Sequence, residues 1–575
     1  MNVLVERNVE CTLRDGTILR VNLYRPTQEG SYPVLLTRLP YGKDTPYAYS
    51  MFDPVAMASN GYLVAIQDCR GRFSSDGQFG GYAQEFEDGY DAVQWAASLP
   101  GSNGQVGMFG ASYYGFTQWA AAALRPPALK AILPFFTYDD PWNGAAVRQG
   151  AFEWGKTAYW YLGSMAPNEW IRQHLAGGVD PAEWRRLFAD FDLLGEKGYW
   201  QLPLTEFEPL KERELLPGFF AQFEHPEYDD FWKRLSILHR DEGMDVPSLN
   251  VGGWYDIFLQ GTIDNYMRMK KRGVVTQLTI GPWSHINRSG FVGEINYGFA
   301  ANAALLDLKE DMTRLHLRWF DSMLKGKSTG IEEDGPVKIF VMGENRWRIH
   351  PEWPLPETEF TPFYFHSAGE AKTSVGDGRL SREVPGNERT DDFLYDPADP
   401  VPTVGGNLLM APEFQPGPRD QTTVEERPDV LVYTSDPLLM DMEVTGPVRA
   451  VLWVSTSAED TDFVVRLTDV HPDGRSIPLC DGIVRMSLRD PNVRTTLQPG
   501  EVYRVEVDCW ATSNVFFRGH RIRVHVTSSC FPRWNRNLNT GQSNEKSARY
   551  TVAEQVVYHD SVRPSHIVLP LVPRS

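Results

Sequence analysis

Val106-Gly107-Met108-Phe109-Gly110-Ala111-Ser112-Tyr113-Tyr114-Gly115-Phe116-Thr117-Gln118-Trp119 reads as a strand, a turn and the start of a helix. The apolar run 106–109 meets Gly110, and helix-forming residues begin just after Ser112. The serine therefore stands at the tip of a sharp strand-to-helix turn with its hydroxyl held clear of the backbone. Gly110 and Gly115 let strand and helix cross closely, where side chains would clash. The Tyr113 N–H falls in the first helical turn without an intrahelical acceptor, which makes it a donor for a developing oxyanion. In the usual elbow, Gly-x-Ser-x-Gly, the second glycine comes one position sooner than Gly115 does. Taken alone, the segment suits a nucleophile or a packing turn equally well.

Outward from this turn, apolar runs alternate with helical segments. Residues 3–12 and 18–24 form a hairpin around Arg14-Asp15-Gly16. Strands at 33–37, 62–67, 106–109 and 131–134 are interleaved with helices at 55–59, at 83–99 and after Ser112. Unalternated apolar strands separated by helices predict a mostly parallel sheet covered on both faces. From about residue 140 to 243 the pattern becomes helical and dense in Trp, Tyr and Phe, with segments 145–165, 168–176 and 181–194. This block reads as a cap inserted over the strand ends. Alternation resumes with strands 247–251 and 276–280, helices 257–272 and 303–324, and a last strand at 337–342. The Pro-rich segment 350–356 reads as a linker. Beyond it, short alternating runs (448–454, 463–470, 502–509, 522–527, 566–571) are split by Gly, Pro and Asp turns and predict a jelly-roll β-sandwich. The expected fold class is α/β, an α/β-hydrolase fold with a helical cap insert and a C-terminal jelly roll. Its expected division is 1–139 and 244–350 for the hydrolase domain, 140–243 for the cap and 351–575 for the sandwich.

A chain of 575 residues exceeds one core. Its formal net charge of −19 disfavours nucleic acid and anionic membrane as partners. Five cysteines without metal-ligand spacing read as reduced, buried thiols in a cytoplasmic protein. The N-terminus has no basic-then-apolar leader, and no apolar run is long enough to span a bilayer.

In the α/β-hydrolase arrangement a nucleophile is followed in the chain by an acid and then a histidine, both at the ends of late strands. Strand 247–251 runs into Gly252-Gly253-Trp254-Tyr255-Asp256, and strand 276–280 into Gly281-Pro282-Trp283-Ser284-His285. Ser112, Asp256 and His285 thus form a candidate triad, with His285 taking the serine proton and Asp256 fixing its tautomer. A second oxyanion donor is expected from the loop after strand 33–37, Arg38-Leu39-Pro40-Tyr41-Gly42-Lys43. That loop has no Gly-Gly run, so Tyr41 serves either as a phenol donor or as an aromatic buttress. Asp68-Cys69-Arg70-Gly71-Arg72 reads as a brace under the site, and His225-Pro226-Glu227-Tyr228-Asp229-Asp230 as a capped helix start rather than a metal site. No phosphate loop or dinucleotide fingerprint is present.

Together, the shifted elbow, the Pro-Tyr loop, Asp-x-Arg-Gly, Gly-Trp-Tyr-Asp and Gly-Pro-Trp-Ser-His resemble the X-Pro dipeptidyl-peptidase/cocaine-esterase family. Tyr395-Asp396-Pro397-Ala398-Asp399-Pro400 and Cys480-Asp481-Gly482-Ile483-Val484-Arg485 extend the likeness to nearly the whole chain. The resemblance implies Ser112, Asp256 and His285 as triad, with the Tyr41 O–H and the Tyr113 N–H as oxyanion hole. It also implies an acyl pocket lined by Trp160, Phe258, Leu409 and Met410. The activity implied is serine-dependent cleavage of small-molecule esters, with amides open, through an acyl-enzyme and without metal or cofactor. A homodimer is left open. The rivals are an X-Pro dipeptidyl-peptidase, a cephalosporin acylase or α-amino-acid ester hydrolase, and, from another class, a carbohydrate-binding protein. The acylase and amino-ester readings need Asp139, Asp140, Asp229 and Asp230 to form an amine-binding carboxylate cluster. From the aromatic run Trp154, Tyr159, Trp160 and Tyr161 and the acidic balance, neutral acyl groups are expected to be preferred over anionic ones.

Overall fold

The computed structural model describes residues 2–50, 52–175, 177–178 and 180–574. Ten strands build the first sheet: β1 (Val3–Thr12), β2 (Ile18–Pro26), β3 (Tyr32–Leu39), β4 (Leu63–Asp68), β5 (Ser102–Ala111), β6 (Leu129–Phe135), β7 (Ser248–Tyr255), β8 (Thr276–Ser284), β9 (Val337–Val341) and β10 (Arg346–His350). Their spatial order is β1-β2-β4-β3-β5-β6-β7-β8-β9-β10. The strands from β4 to β9 pair in parallel, and the two ends are antiparallel. Strand β10 adds an edge that extends the sheet through His350, inside the segment expected to begin the linker.

Both faces of the sheet are covered, which is why its strands are apolar without alternation. Val34, Leu36, Ala65, Val106 and Met108 share one core with helices α1 (Glu85–Ala97) and α2 (Tyr113–Ala123). Their strand neighbours Leu35, Val64, Ile66 and Phe109 belong to a second core on the other face, under helix Met312–Lys325. That helix begins later than the expected 303, because Asp311 caps it by accepting the Arg314 N–H, and Ala303–Leu305 forms a separate short turn.

The insert is helical, with Trp154–Tyr159, Ala166–His174, Pro181–Asp192 and Asp230–Leu235 among its segments. The single helix expected over 145–165 is a small hairpin followed by a helix. Val147–Arg148 pairs with Ala151–Phe152 around Gln149 (φ 41°) and Gly150 (φ 85°), the left-handed pair a tight two-residue turn requires. Ala176, at the end of the segment expected over 168–176, lies outside the described residues.

The C-terminal β-sandwich includes the long pair Met442–Thr456 and Tyr503–Phe516. It is bolted to the ends of the first sheet. The Tyr255 hydroxyl donates to the Pro478 carbonyl at 3.0 Å, and Met342 and Ser513 are joined by an N–H···O bond of 3.0 Å. All five cysteines are free and buried. No helix among the described residues is long and apolar enough to cross a membrane.

His316, on helix Met312–Lys325, is fully buried and stacks on Phe135 at 5.4 Å beneath the site. Its Nδ1 donates to the Met312 carbonyl at 2.6 Å, while Nε2 has no partner. Burial pulls its pKa from 6.5 to about 4. Because the folded value lies below the unfolded one, the unfolded chain takes up a proton first. Stability is complete above about pH 6.5 and is lost as pH falls toward 4, by up to about 3 kcal/mol. The urea midpoint of the parent is therefore expected to fall further between pH 7 and pH 4.5 than that of His316→Phe. Equal falls in both proteins would contradict this.

Candidate active site

Ser112 sits between β5 and α2 with φ 59° and ψ −124°, a conformation that costs a non-glycine residue on the order of 1–3 kcal/mol. Four hydrogen bonds hold it there. Its N–H donates to the Phe135 carbonyl at 3.0 Å, and its carbonyl accepts from the N–H groups of Gly115 and Phe116 and from the Thr137 hydroxyl. The two glycines fit because nothing larger does. A Cβ on Gly110 (φ 139°) would lie 2.3 Å from the Tyr114 ring, and one on Gly115 would lie 2.9 Å from the Phe135 carbonyl oxygen. The turn is thus strained, over-determined, and places its hydroxyl in the open.

The ends of β7 and β8 bring two further side chains to that hydroxyl. His285 Nε2 lies 3.0 Å from Ser112 Oγ, and His285 Nδ1 lies 2.6 Å from Asp256 Oδ1. A carboxylate oxygen only accepts, so Nδ1 carries the proton and Nε2 is left to accept from the serine. Asp256 is fully buried, and its second oxygen accepts the Phe258 N–H at 3.2 Å. Asn407, from the sandwich side of the chain, donates to the carbonyls of Trp254 and Asp256 at 3.1 and 2.8 Å. The acid is therefore fixed from two domains.

Tyr41 and Tyr113 line the same cavity as Ser112. The Trp160 indole N–H donates to the Tyr41 hydroxyl oxygen at 2.9 Å. An indole N–H cannot accept, so this bond fills a lone pair of the phenol and leaves its proton to point elsewhere. Burial raises the Tyr41 pKa, against the opposing effects of Trp160 and Ser112, so the phenol keeps its proton. The loop carrying Tyr41 is clamped on both sides. The Arg72 guanidinium donates to the Pro40 carbonyl at 3.0 Å, and Asp68 accepts the Lys43 N–H at 2.6 Å. Beneath the elbow the Tyr113 phenol donates to Glu85, which is ion-paired with Arg38 at 2.8 Å; both members of that pair are fully buried. The Asp68-to-Arg72 segment is thus a brace.

The cavity measures about 640 Å³. Of the four expected pocket residues it receives Trp160, Phe258 and Leu409. Met410 is absent from the lining. It points into the cap core, where a Cβ on Gly155 would come within 2.5 Å of its methyl group. Of the expected aromatic wall, Tyr161 joins Trp160 in the lining, whereas Trp154 is buried in the cap core with its N–H on the Tyr199 carbonyl, and Tyr159 packs on Phe191. Tyr82 and Tyr138, which the sequence reading did not single out, complete the wall; Tyr82 stacks on Tyr113 at 4.9 Å.

The four aspartates do not gather at the cavity. Asp139 pairs with Arg268 at 2.7 Å. Asp140 caps the Trp142 N–H and accepts from Tyr228 and Ser236. Asp229 caps helix Asp230–Leu235 and pairs with His225, and the Asp230 side chain is exposed. The lining instead holds Lys156, Arg234 and Arg240, so the expected charge bias against anionic acyl groups does not follow from the site.

A model of the X-Pro dipeptidyl-peptidase (S15 family) matches residues 15–287, and one of the X-Pro dipeptidyl-peptidase C-terminal non-catalytic domain matches 329–568. The chain is 40% identical to the cocaine esterase of Rhodococcus sp. (strain MB1 Bresler), covering 100% of this chain and 99% of that one. It is 26% identical to a putative serine esterase of Mycobacterium bovis, covering 90% and 89%. Among solved structures, an α-amino acid ester hydrolase superposes with a TM-score of 0.81 at 25% identity, covering 99% of this chain and 97% of that one.

Proposed function

The chain belongs to the X-Pro dipeptidyl-peptidase (S15) family, and from that premise we propose that it is a serine hydrolase of carboxylic esters working through an acyl-enzyme. The observation that carries this reading is the relay from Asp256 through His285 to Ser112, with contacts of 2.6 and 3.0 Å, opening on a cavity of about 640 Å³. In this mechanism Ser112 Oγ attacks the ester carbonyl carbon while its proton passes to His285 Nε2. The carbonyl oxygen, now charged, is held by the Tyr41 O–H and the Tyr113 N–H. The C–O bond breaks and His285 returns the proton to the departing alcohol. Water then attacks the acyl carbon while His285 takes its proton, the bond from that carbon to Ser112 Oγ breaks, and His285 returns the proton to Oγ as the carboxylic acid departs.

Esters are favoured over X-Pro amides and α-amino esters by what surrounds the relay. A substrate ammonium needs a carboxylate nearby, and no Asp or Glu stands among the described residues lining the cavity. We assign the division 1–139 with 244–350, 140–243 and 351–575 to hydrolase, cap and jelly roll. We place the protein in the cytoplasm on its five unbridged, buried thiols.

The test is kcat/KM for phenyl acetate, butyrate and benzoate beside a Gly-Pro anilide. All three esters are expected to turn over, with the anilide slower by about 100-fold or more; best activity on the anilide would contradict the reading. Trp160→Ala is expected to cost benzoate about ten-fold more than acetate, because only the larger group rests on that ring. An equal loss on both would confine Trp160 to holding Tyr41.

A further inference from the structure

The cavity over Ser112 is cationic in an acidic protein. Lys156, Arg234 and Arg240 line it, while the whole chain has a formal net charge of −19. None of the three has a carboxylate partner among the described residues. Arg234 donates to the backbone carbonyl of Asp230 at 3.3 Å, Arg240 lies 4.3 Å over the Phe86 ring, and the Lys156 ammonium lies 5.5 Å over the Phe258 ring. Lys156 is only 9% exposed, and burying an unpaired ammonium is costly unless a counter-charge arrives. The carboxylate that acts on it, Glu153, is engaged elsewhere, accepting the Trp534 indole N–H at 2.9 Å. Burial lowers the lysine pKa to about 8, in keeping with a missing counter-ion.

Lys156 shares the cavity lining with Ser112 and Phe258. The Phe258 ring beneath its ammonium meets His285 edge-on at 5.3 Å. The Phe258 ring thus contacts both the general base and the buried cation, which keeps an acyl chain that spans them short. Among the lining residues Lys156 is buried and Arg234 exposed, which sets Lys156 on the inner side of the cavity and Arg234 toward solvent. In an acyl-enzyme cycle the alcohol must leave toward solvent while the acyl group stays on Ser112. The acyl half therefore occupies the inner side.

We propose that the preferred substrates are half-esters of short dicarboxylic acids, with the free carboxylate of the acyl group seated on the Lys156 ammonium. This rests on the serine-hydrolase reading, and the carboxylate is a spectator: the bonds made and broken are those of ester hydrolysis. Lys156 is then the residue that sets acyl specificity, with Arg234 and Arg240 drawing the anion toward the mouth.

The experiment compares kcat/KM for phenyl hydrogen glutarate, phenyl pentanoate and 4-carboxyphenyl pentanoate in the parent, Lys156→Met and Lys156→Arg. The parent is expected to favour the hydrogen glutarate over phenyl pentanoate by about ten-fold or more, Lys156→Met to bring that ratio to about one, and Lys156→Arg to recover most of it. A parent ratio of about one or less, a ratio that Lys156→Met leaves in place, or a stronger preference for the carboxyphenyl ester overturns the proposal. Hydrolysis of phenyl pentanoate reports the esterase reading separately: if it proceeds and depends on Ser112 while the glutarate preference is missing, only the present inference fails. If no ester is cleaved, calorimetry with free glutarate decides. Binding by the parent that Lys156→Met abolishes supports the anion seat, and absence of binding overturns it.

Discussion

Ser112→Ala is expected to lower kcat on every ester by on the order of 10⁶-fold while leaving the fold in place. The size follows from what the hydroxyl does. It is the atom that attacks, and His285 at 3.0 Å and Asp256 behind it have no other proton to move. Removing the serine or the histidine of such a relay costs about as much as removing the whole of it. The fold should survive because Ser112 is held by its backbone, through the Phe135 carbonyl and the N–H groups of Gly115 and Phe116, rather than by its side chain. Near-parental turnover by the folded variant would remove Ser112 as nucleophile. Circular dichroism and the thermal midpoint, measured beside the rate, separate loss of chemistry from loss of structure.

Tyr41→Phe is expected to reduce kcat by roughly 10²–10³-fold with little change in KM, since the phenol bond strengthens as charge gathers on the carbonyl oxygen. The substitution leaves the ring and its packing against Tyr47 and Tyr114 in place and deletes only the hydroxyl. It also leaves the Trp160 N–H without its acceptor; were holding Trp160 the sole task of the hydroxyl, the loss would fall on substrate binding and not on the chemical step. The division between kcat and KM is therefore diagnostic. A fall in kcat alone marks an oxyanion donor. A rise in KM with kcat within about three-fold of the parent marks Tyr41 as a buttress for Trp160.

The strand ends were legible because each is announced locally. Gly252-Gly253 before Asp256 and Gly281-Pro282 before His285 mark the ends of the apolar runs, and chain order supplies the rest, although β7 and β8 themselves run on through those glycines to Tyr255 and Ser284. What was not legible depends on long-range packing. Leu409 and Met410 are adjacent, yet one lines the cavity and the other faces the cap core, a division that only the packing of the loop decides. Strand Ser476–Arg485 escaped the pattern because Asp481 and Arg485 look like surface residues. They are buried, satisfied by Arg533 and Asp462 at 2.7 and 2.9 Å. Lys156 hides in the same way inside an aromatic run: the sequence marks a charge, and only the folded cap turns it toward Ser112. A net charge summed over 575 residues says nothing about the sign of one cavity.

Nucleophilic attack by Ser112 is the step on which every other role in the site depends, and intact-protein mass spectrometry after phosphonylation by a fluorophosphonate probe reads it directly. The account predicts a single adduct that peptide mapping places on Ser112, full loss of esterase activity in proportion to labelling, and no adduct in Ser112→Ala. Labelling at another residue, or activity that persists in fully labelled protein, would contradict it.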